Sequence, residues 1–220
     1  FRATRTGGDV DYGFSLQYAR PSTPYYRINP DLRTNLALAG GNVATALAAT
    51  GGPTFTAVYP FAWVAGGELE FQAANATWRF EAAYTSDAPA TTQDLRYITP
   101  ASLDLVGGVE FFPGDGDTRV TLQLAGHHLH TAEQLLDRKT FYGVNGELEH
   151  TFADGNWRAN LRFYAGLNER DNYFNPKISY LGFEPHEFYL GAHIFSGNDQ
   201  SLGGFHKDHD LVVLGWQVRY

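Results

Sequence analysis

The chain has 220 residues, 16 Lys+Arg against 24 Asp+Glu for a net charge of −8, 43% hydrophobic and 15% aromatic residues, and neither cysteine nor methionine. Absent cysteine excludes disulfides and thiolate metal sites, and the acidic balance argues against a nucleic-acid partner. Apolar runs short of eighteen residues exclude a transmembrane helix, and the length suits one domain over residues 1–220.

Residues 1–6 alternate like the end of a strand and run into the turn sequence Gly7-Gly8-Asp9. The chain therefore reads as starting inside a strand, a product shortened at its N-terminus. Ten further segments alternate apolar and polar residues at period two: 10–19, 62–73, 77–85, 102–111, 118–128, 140–152, 157–167, 177–183, 188–195 and 211–220. Each is near the ten residues that cross a bilayer as a tilted strand. One side of each is apolar, as in Tyr12, Phe14, Leu16 and Tyr18, or Val212, Leu214, Trp216, Val218 and Tyr220. A soluble sheet would pack that side on a second layer, and no segment supplies one. The expected fold is an all-β, antiparallel up-and-down transmembrane barrel with at least ten strands visible, the C-terminal part of a larger barrel.

Connections alternate strictly in length. Short ones cover 74–76, 113–117, 153–156 and 184–187; long ones cover 21–61, 86–101, 129–139, 168–176 and 196–208. Barrels of the outer membrane carry short periplasmic turns and longer external loops. Within the longest connection, the small apolar residues of 35–50 read either as a short helix folded into the barrel mouth or as an ordinary surface loop.

The hairpins repeat. Gly67-Glu-Leu-Glu-Phe71 recurs as Gly146-Glu-Leu-Glu-His150, Trp78-Arg79 recurs as Trp157-Arg158, and Gly108-Val-Glu-Phe111 with Arg119 lies between. Each hairpin holds a glutamate nine residues before an arginine: Glu70/Arg79, Glu110/Arg119 and Glu149/Arg158. A four-residue turn is expected to set each pair opposite on one face. Period-two arithmetic sends Glu68, Glu70, Arg79, Glu81, Asp104, Glu110, Arg119, Glu147, Glu149, Arg158, Arg162 and Arg219 inward. A charge facing lipid at the midplane costs about 2–4 kcal/mol. These twelve are the expected pore-lining residues, dispersed in sign, either salt-bridged across a filled interior or lining a hydrated path.

Two histidine clusters, His206-Lys-Asp-His-Asp210 and His127-His128-Leu-His130, invite an enzyme or metal reading. Neither has a diagnostic ligand spacing, and alternation sends His127 and His128 to opposite faces. The expectation is loop residues, no catalytic set, no metal and no cofactor.

As a whole the chain resembles bacterial outer-membrane β-barrels of the porin-like type. The likeness is carried by the terminal aromatic of Trp216-Gln-Val-Arg-Tyr220, by Trp78, Tyr84, Trp157 and Phe163 as girdle residues, and by the Gly-Glu-Leu-Glu hairpins. The stretch from Leu190 to Gly197 and on to Tyr220 is similar to the closing hairpin of large proteobacterial porin-like proteins. The resemblance implies a Gram-negative outer-membrane location, lipid as neighbour, and a channel for small solutes. A rim hydrolase using His206, Asp208, His209 and Asp210 is the second reading. A scaffold barrel that sheathes or anchors a periplasmic partner is the third, and homo-oligomers fit the class.

Overall fold

A computed structural model describes residues 1–199 and 201–218. In chain order its elements are β1 (Arg2–Arg5), β2 (Val10–Ala19), β3 (Tyr25–Ile28), α1 (Pro30–Leu38), α2 (Val43–Ala49), β4 (Phe55–Val58), β5 (Ala62–Ala73) and β6 (Ala76–Thr85). There follow β7 (Ala90–Thr91), β8 (Tyr97–Ile98), β9 (Ala101–Phe111), β10 (Thr118–His130), β11 (Thr140–Phe152) and β12 (Trp157–Gly166). The chain continues through β13 (Asp171–Phe183), β14 (His186–Gly197), α3 (Leu202–Phe205) and β15 (Leu211–Val218).

Eleven strands form one antiparallel sheet in the order β1-β2-β5-β6-β9-β10-β11-β12-β13-β14-β15. Wall strands that are neighbours in sequence are neighbours in space. The two small hairpins, β3-β4 and β7-β8, belong to the loops.

The all-β, antiparallel expectation holds, with more than ten strands in one sheet; that sheet is open, with β1 and β15 as its two edges, and does not close into a barrel. The arithmetic explains it. In an eleven-strand meander the first and last strands run the same way, so joining them would need a parallel pair in an otherwise antiparallel wall.

Because directly opposed residues share a face, the register fixes the phase of every strand. Tyr12↔Leu69, Leu69↔Phe80, Phe111↔Val120, Leu148↔Leu161, Ile178↔Leu190 and Leu190↔Leu214 carry one apolar face from end to end. This face has no partner layer: Leu214 is 83% and Val212 is 75% exposed. Among the described residues the buried apolar set is only Leu32, Ala46, Ala62, Ala90 and Leu129, chiefly small side chains and loop positions. A soluble domain of this length would bury far more apolar surface to offset chain entropy.

Local chemistry explains the other elements. Asn29 caps α1 by accepting from the Asp31 amide, with Pro30 in the first turn. Asn42 caps α2 by accepting from the Thr45 amide. Gly40 and Gly41, at φ +59° and +86°, turn the chain between the two helices. The long connection thus holds a β-hairpin topped by a helical hairpin, more structure than either expectation for 35–50.

One expected connection is corrected. The long loop at 168–176 shrinks to 167–170, because β13 begins at Asp171 and pairs Pro176 with Leu161. Proline lacks an amide donor and reads as a strand breaker in sequence. Here the Asn175 side chain supplies a neighbouring cross-strand bond, donating to the Ala192 carbonyl at 2.7 Å. The strict alternation of loop length fails at this one position.

Candidate functional site

The second face of the sheet carries the charge. Register places Glu68, Glu70, Arg79, Glu81, Asp104, Glu110, Arg119, Glu147, Glu149, Arg158 and Arg162 on it together, through Glu68↔Glu81, Glu70↔Arg79, Thr121↔Glu110, Arg119↔Glu149, Glu147↔Arg162 and Asp104↔His127. Arg219 lies outside the described residues, as does the terminal Tyr220.

The paired charges are arranged more finely than their spacing implied. Arg79 Nε meets Glu70 Oε2 at 2.7 Å. Arg158 reaches Glu149 only diagonally, at 3.8 Å, because Glu149 stands opposite Asn160. The third expected pair is corrected: Glu110 stands opposite Thr121, which donates to it at 3.4 Å, while Arg119 reaches Glu147 at 3.6 Å on the next strand.

Glu147 is a hub. Asn160 Nδ2 donates to its Oε1 at 2.5 Å, and Arg162 Nε stands 3.3 Å from the same oxygen. A second arrangement answers a like-charge problem. Glu68 and Glu81 are directly opposed, which destabilises a sheet. Arg2 on β1 resolves it by pairing with Glu68 at 2.9 Å, and Glu68 gets there by lying over Gly13, where any Cβ would collide with its carboxylate.

The signs are not evenly dispersed. On β2 to β9 the face holds Asp11, Glu68, Glu70, Glu81, Asp104 and Glu110 against Arg79; on β10 to β13 Arg119, Arg158, Arg162 and Lys177 accompany Glu147, Glu149 and Asp171. An acidic stretch of wall stands beside a mixed one with more cations.

Five long or medium connections leave the same end of the sheet and lock into a collar. Tyr25 on β3 hydrogen-bonds Thr91 Oγ1 at 2.6 Å and Asp137 Oδ2 at 2.8 Å, tying three connections at one point. Partial burial and the Asp137 carboxylate push its hydroxyl up to about 12, Thr91 acting the other way. Arg33 on α1 and Arg96 share Asp94 Oδ2, at 2.9 and 2.8 Å, and Arg96 also holds Glu133 at 2.9 Å. The bond from Thr92 Oγ1 and the guanidinium of Arg96 hold the Asp94 carboxyl below its usual range. Arg138 continues the belt to Glu169 at 3.2 Å and Asp171 at 3.3 Å, and Asp171 accepts the Gly203 amide at 2.7 Å. Sequence reading named none of these collar residues. Their only signal was arginine and aspartate interspersed in connections that looked irregular.

The histidine clusters divide. His127 meets Asp104 at 2.6 Å on the charged face, and Ser102 Oγ donates to the other oxygen of the same carboxylate at 3.4 Å. His128, on the apolar face, bonds Thr140. In the C-terminal connection Asp210 accepts the Phe195 amide at 2.8 Å, Lys207 holds Asp199, and the His206 ring packs on Phe195 and Phe205. Among the described residues no group of three or more His, Asp or Glu is placed to hold a metal ion.

The aromatic residues Trp78 and Trp157 lie near the short-turn end of the apolar face, in register with Phe71 and with Phe152 and Tyr180. Trp216, Phe188, His186 and Phe183 continue that aromatic edge, and Tyr18, Trp63 and Tyr84 mark the loop end. Phe163 sits in mid-strand over Gly146, not at a strand end.

No protein-family model and no curated protein matches the chain.

Proposed function

We propose that this chain forms wall of a porin-like channel in a bacterial outer membrane, its apolar face against lipid and its charged face toward a hydrated path for small solutes. One observation carries the reading: the ten strands of the large sheet from β2 to β15 share a continuous apolar face that, among the described residues, no other element covers, while the opposite face collects their charges and edge strand β1 sets Arg5 beside Tyr12 on the apolar side. In water that face would aggregate. In a bilayer it is the side that needs no partner, and aromatic residues concentrate towards both of its ends as interface girdles do. A wall completed by an odd number of further strands would be antiparallel throughout and free of edges.

Solutes would pass an acidic stretch of wall that adjoins a mixed one, which favours small polar molecules over bulk anions. The collar would set what enters. The sheet face offers positioned charges of both signs spread along its strands, and the reading is passage without catalysis.

Planar-bilayer recording on the full-length protein tests this. Reproducible conductance steps, abolished by prior heat unfolding, are expected. Silence from protein shown to be folded and inserted would reject the channel, and hydrolysis of ester or peptide substrates lost on replacing His206, Asp208, His209 and Asp210 with alanine would favour the rim-hydrolase reading.

A further inference from the structure

The collar contains a cleft of about 750 Å³ between the first long connection and the β7-β8 hairpin, lined by Arg27, Ile28, Pro30, Arg33, Thr34, Ala37, Leu95, Arg96 and Tyr97. That volume is in the range of small-molecule sites. Its composition is unusual for a chain of net charge −8, since three of the chain's arginines converge there.

We propose that this cleft binds an amphipathic monocarboxylate, a single carboxylate on a hydrocarbon or ring-bearing body. The charge count selects the headgroup. Arg33 and Arg96 share Asp94, and Arg96 also holds Glu133. The ion pairs set three guanidiniums against two carboxylates, with Asp87 acting on Tyr97 from beyond the lining, so the cleft offers at most one positive charge, which a phosphate dianion exceeds. Arg27 supplies that charge: among the described residues no carboxylate oxygen lies within salt-bridge distance of it.

A guanidinium presents planar, paired donors that match a carboxylate edge on. Tyr97 lines the same cleft, and burial pushes its hydroxyl up, with Arg27 acting the other way, so the protonated hydroxyl is available there as a donor. Ile28, Pro30, Ala37 and Leu95 give the body of the ligand an apolar wall. The site stands on the loop geometry alone, so it holds whether or not the chain conducts.

Isothermal titration of the folded full-length protein in detergent tests it, with 4-phenylbutyrate, its neutral amide and 3-phenylpropyl phosphate as probes. Saturable binding of the acid is expected, at least tenfold tighter than the amide and tighter than the phosphate. Arg27→Gln should weaken the acid at least tenfold and Arg27→Lys should recover part of it, while Arg5→Gln on edge strand β1 changes nothing. Equal binding of acid and amide, tighter binding of the phosphate, or no saturable binding of the acid overturns the proposal without any variant being made. Conductance plays no part in the readout, so failure here and failure of the channel reading are separate results.

Discussion

Glu70 and Arg79 face each other directly across the β5–β6 hairpin, with Arg79 Nε donating to Glu70 Oε2 at 2.7 Å. The two-residue turn Ala74-Asn75, both residues at positive φ, makes nine-residue spacing a direct opposition. The longer turn after Phe152 shifts the same spacing by two residues and makes Glu149/Arg158 diagonal. The six residues between β9 and β10 do likewise, and there Arg119 leaves its hairpin for Glu147. Turn length thus decides between direct opposition and a two-residue offset, and at the same offset Arg158 keeps Glu149 while Arg119 takes Glu147 on the next strand.

The Glu147 hub should be the most sensitive polar position on the charged face. Glu147→Leu leaves Asn160, Arg119 and Arg162 without their shared acceptor, and hydrogen bonds to a charged group contribute about 1.5–3 kcal/mol each. A loss of about 2–3 kcal/mol is expected on urea unfolding in detergent, against under about 1 kcal/mol for Glu70→Gln, whose pair is half exposed.

Gly13 and Arg2 should be coupled. Gly13→Ala displaces the Glu68 carboxylate from Arg2 and restores the repulsion with Glu81. The expected cost is about 1 kcal/mol. In the double variant with Arg2→Ala the two losses should overlap instead of adding, which a double-mutant cycle reads directly.

The Tyr25 tie should fail in alkali. Its folded value of about 12 lies above the ordinary 10.0, so the protonated hydroxyl is the form the collar favours. The tie is therefore intact below about pH 10 and is lost as pH rises towards 12. Burial also raises Tyr97, so absorbance titration near 295 nm should show a late-ionising component that shrinks in Tyr25→Phe without vanishing, and protease cleavage within residues 86–101 should accelerate over the same window.

Adjacent residues of β10 should respond oppositely to charge. Leu122→Arg puts a guanidinium on the apolar face and should cost about 2–4 kcal/mol of insertion. Thr121→Arg, on the other face beside Glu110 and Glu147, should insert normally. Heat-modifiable gel mobility after refolding into liposomes reads the difference.

The wall was legible because alternation at period two is a property of single strands. Once Tyr12, Leu69, Phe80 and Leu148 are assigned outward, the face of Glu68, Arg79 and Glu147 follows without knowing which strands pair. Pairing detail was not legible, since a shift of two residues keeps every side chain on its face while changing the partner, as with Arg119. Residues 171–176 were read as loop because Asn172, Asn175 and Pro176 favour turns in isolation, and only the flanking β12 and β14 hold them extended. The collar was invisible for a different reason. Tyr25, Asp94, Glu133 and Asp137 meet through contacts far apart in sequence, and no periodicity encodes them.

The central claim, lipid on one face and water on the other, is open to one direct measurement because the chain contains no cysteine. Single substitutions Thr121→Cys, Leu122→Cys, Gln123→Cys and Leu124→Cys, made in the full-length protein in native outer membranes, are treated with a membrane-impermeant maleimide and, separately, spin-labelled against a lipid-dissolved and a water-soluble relaxant. The account predicts fast labelling and water-side relaxation at 121 and 123, with protection and lipid-side relaxation at 122 and 124. Equal labelling of all four, with no effect of the lipid-dissolved relaxant at 122 and 124, would contradict it.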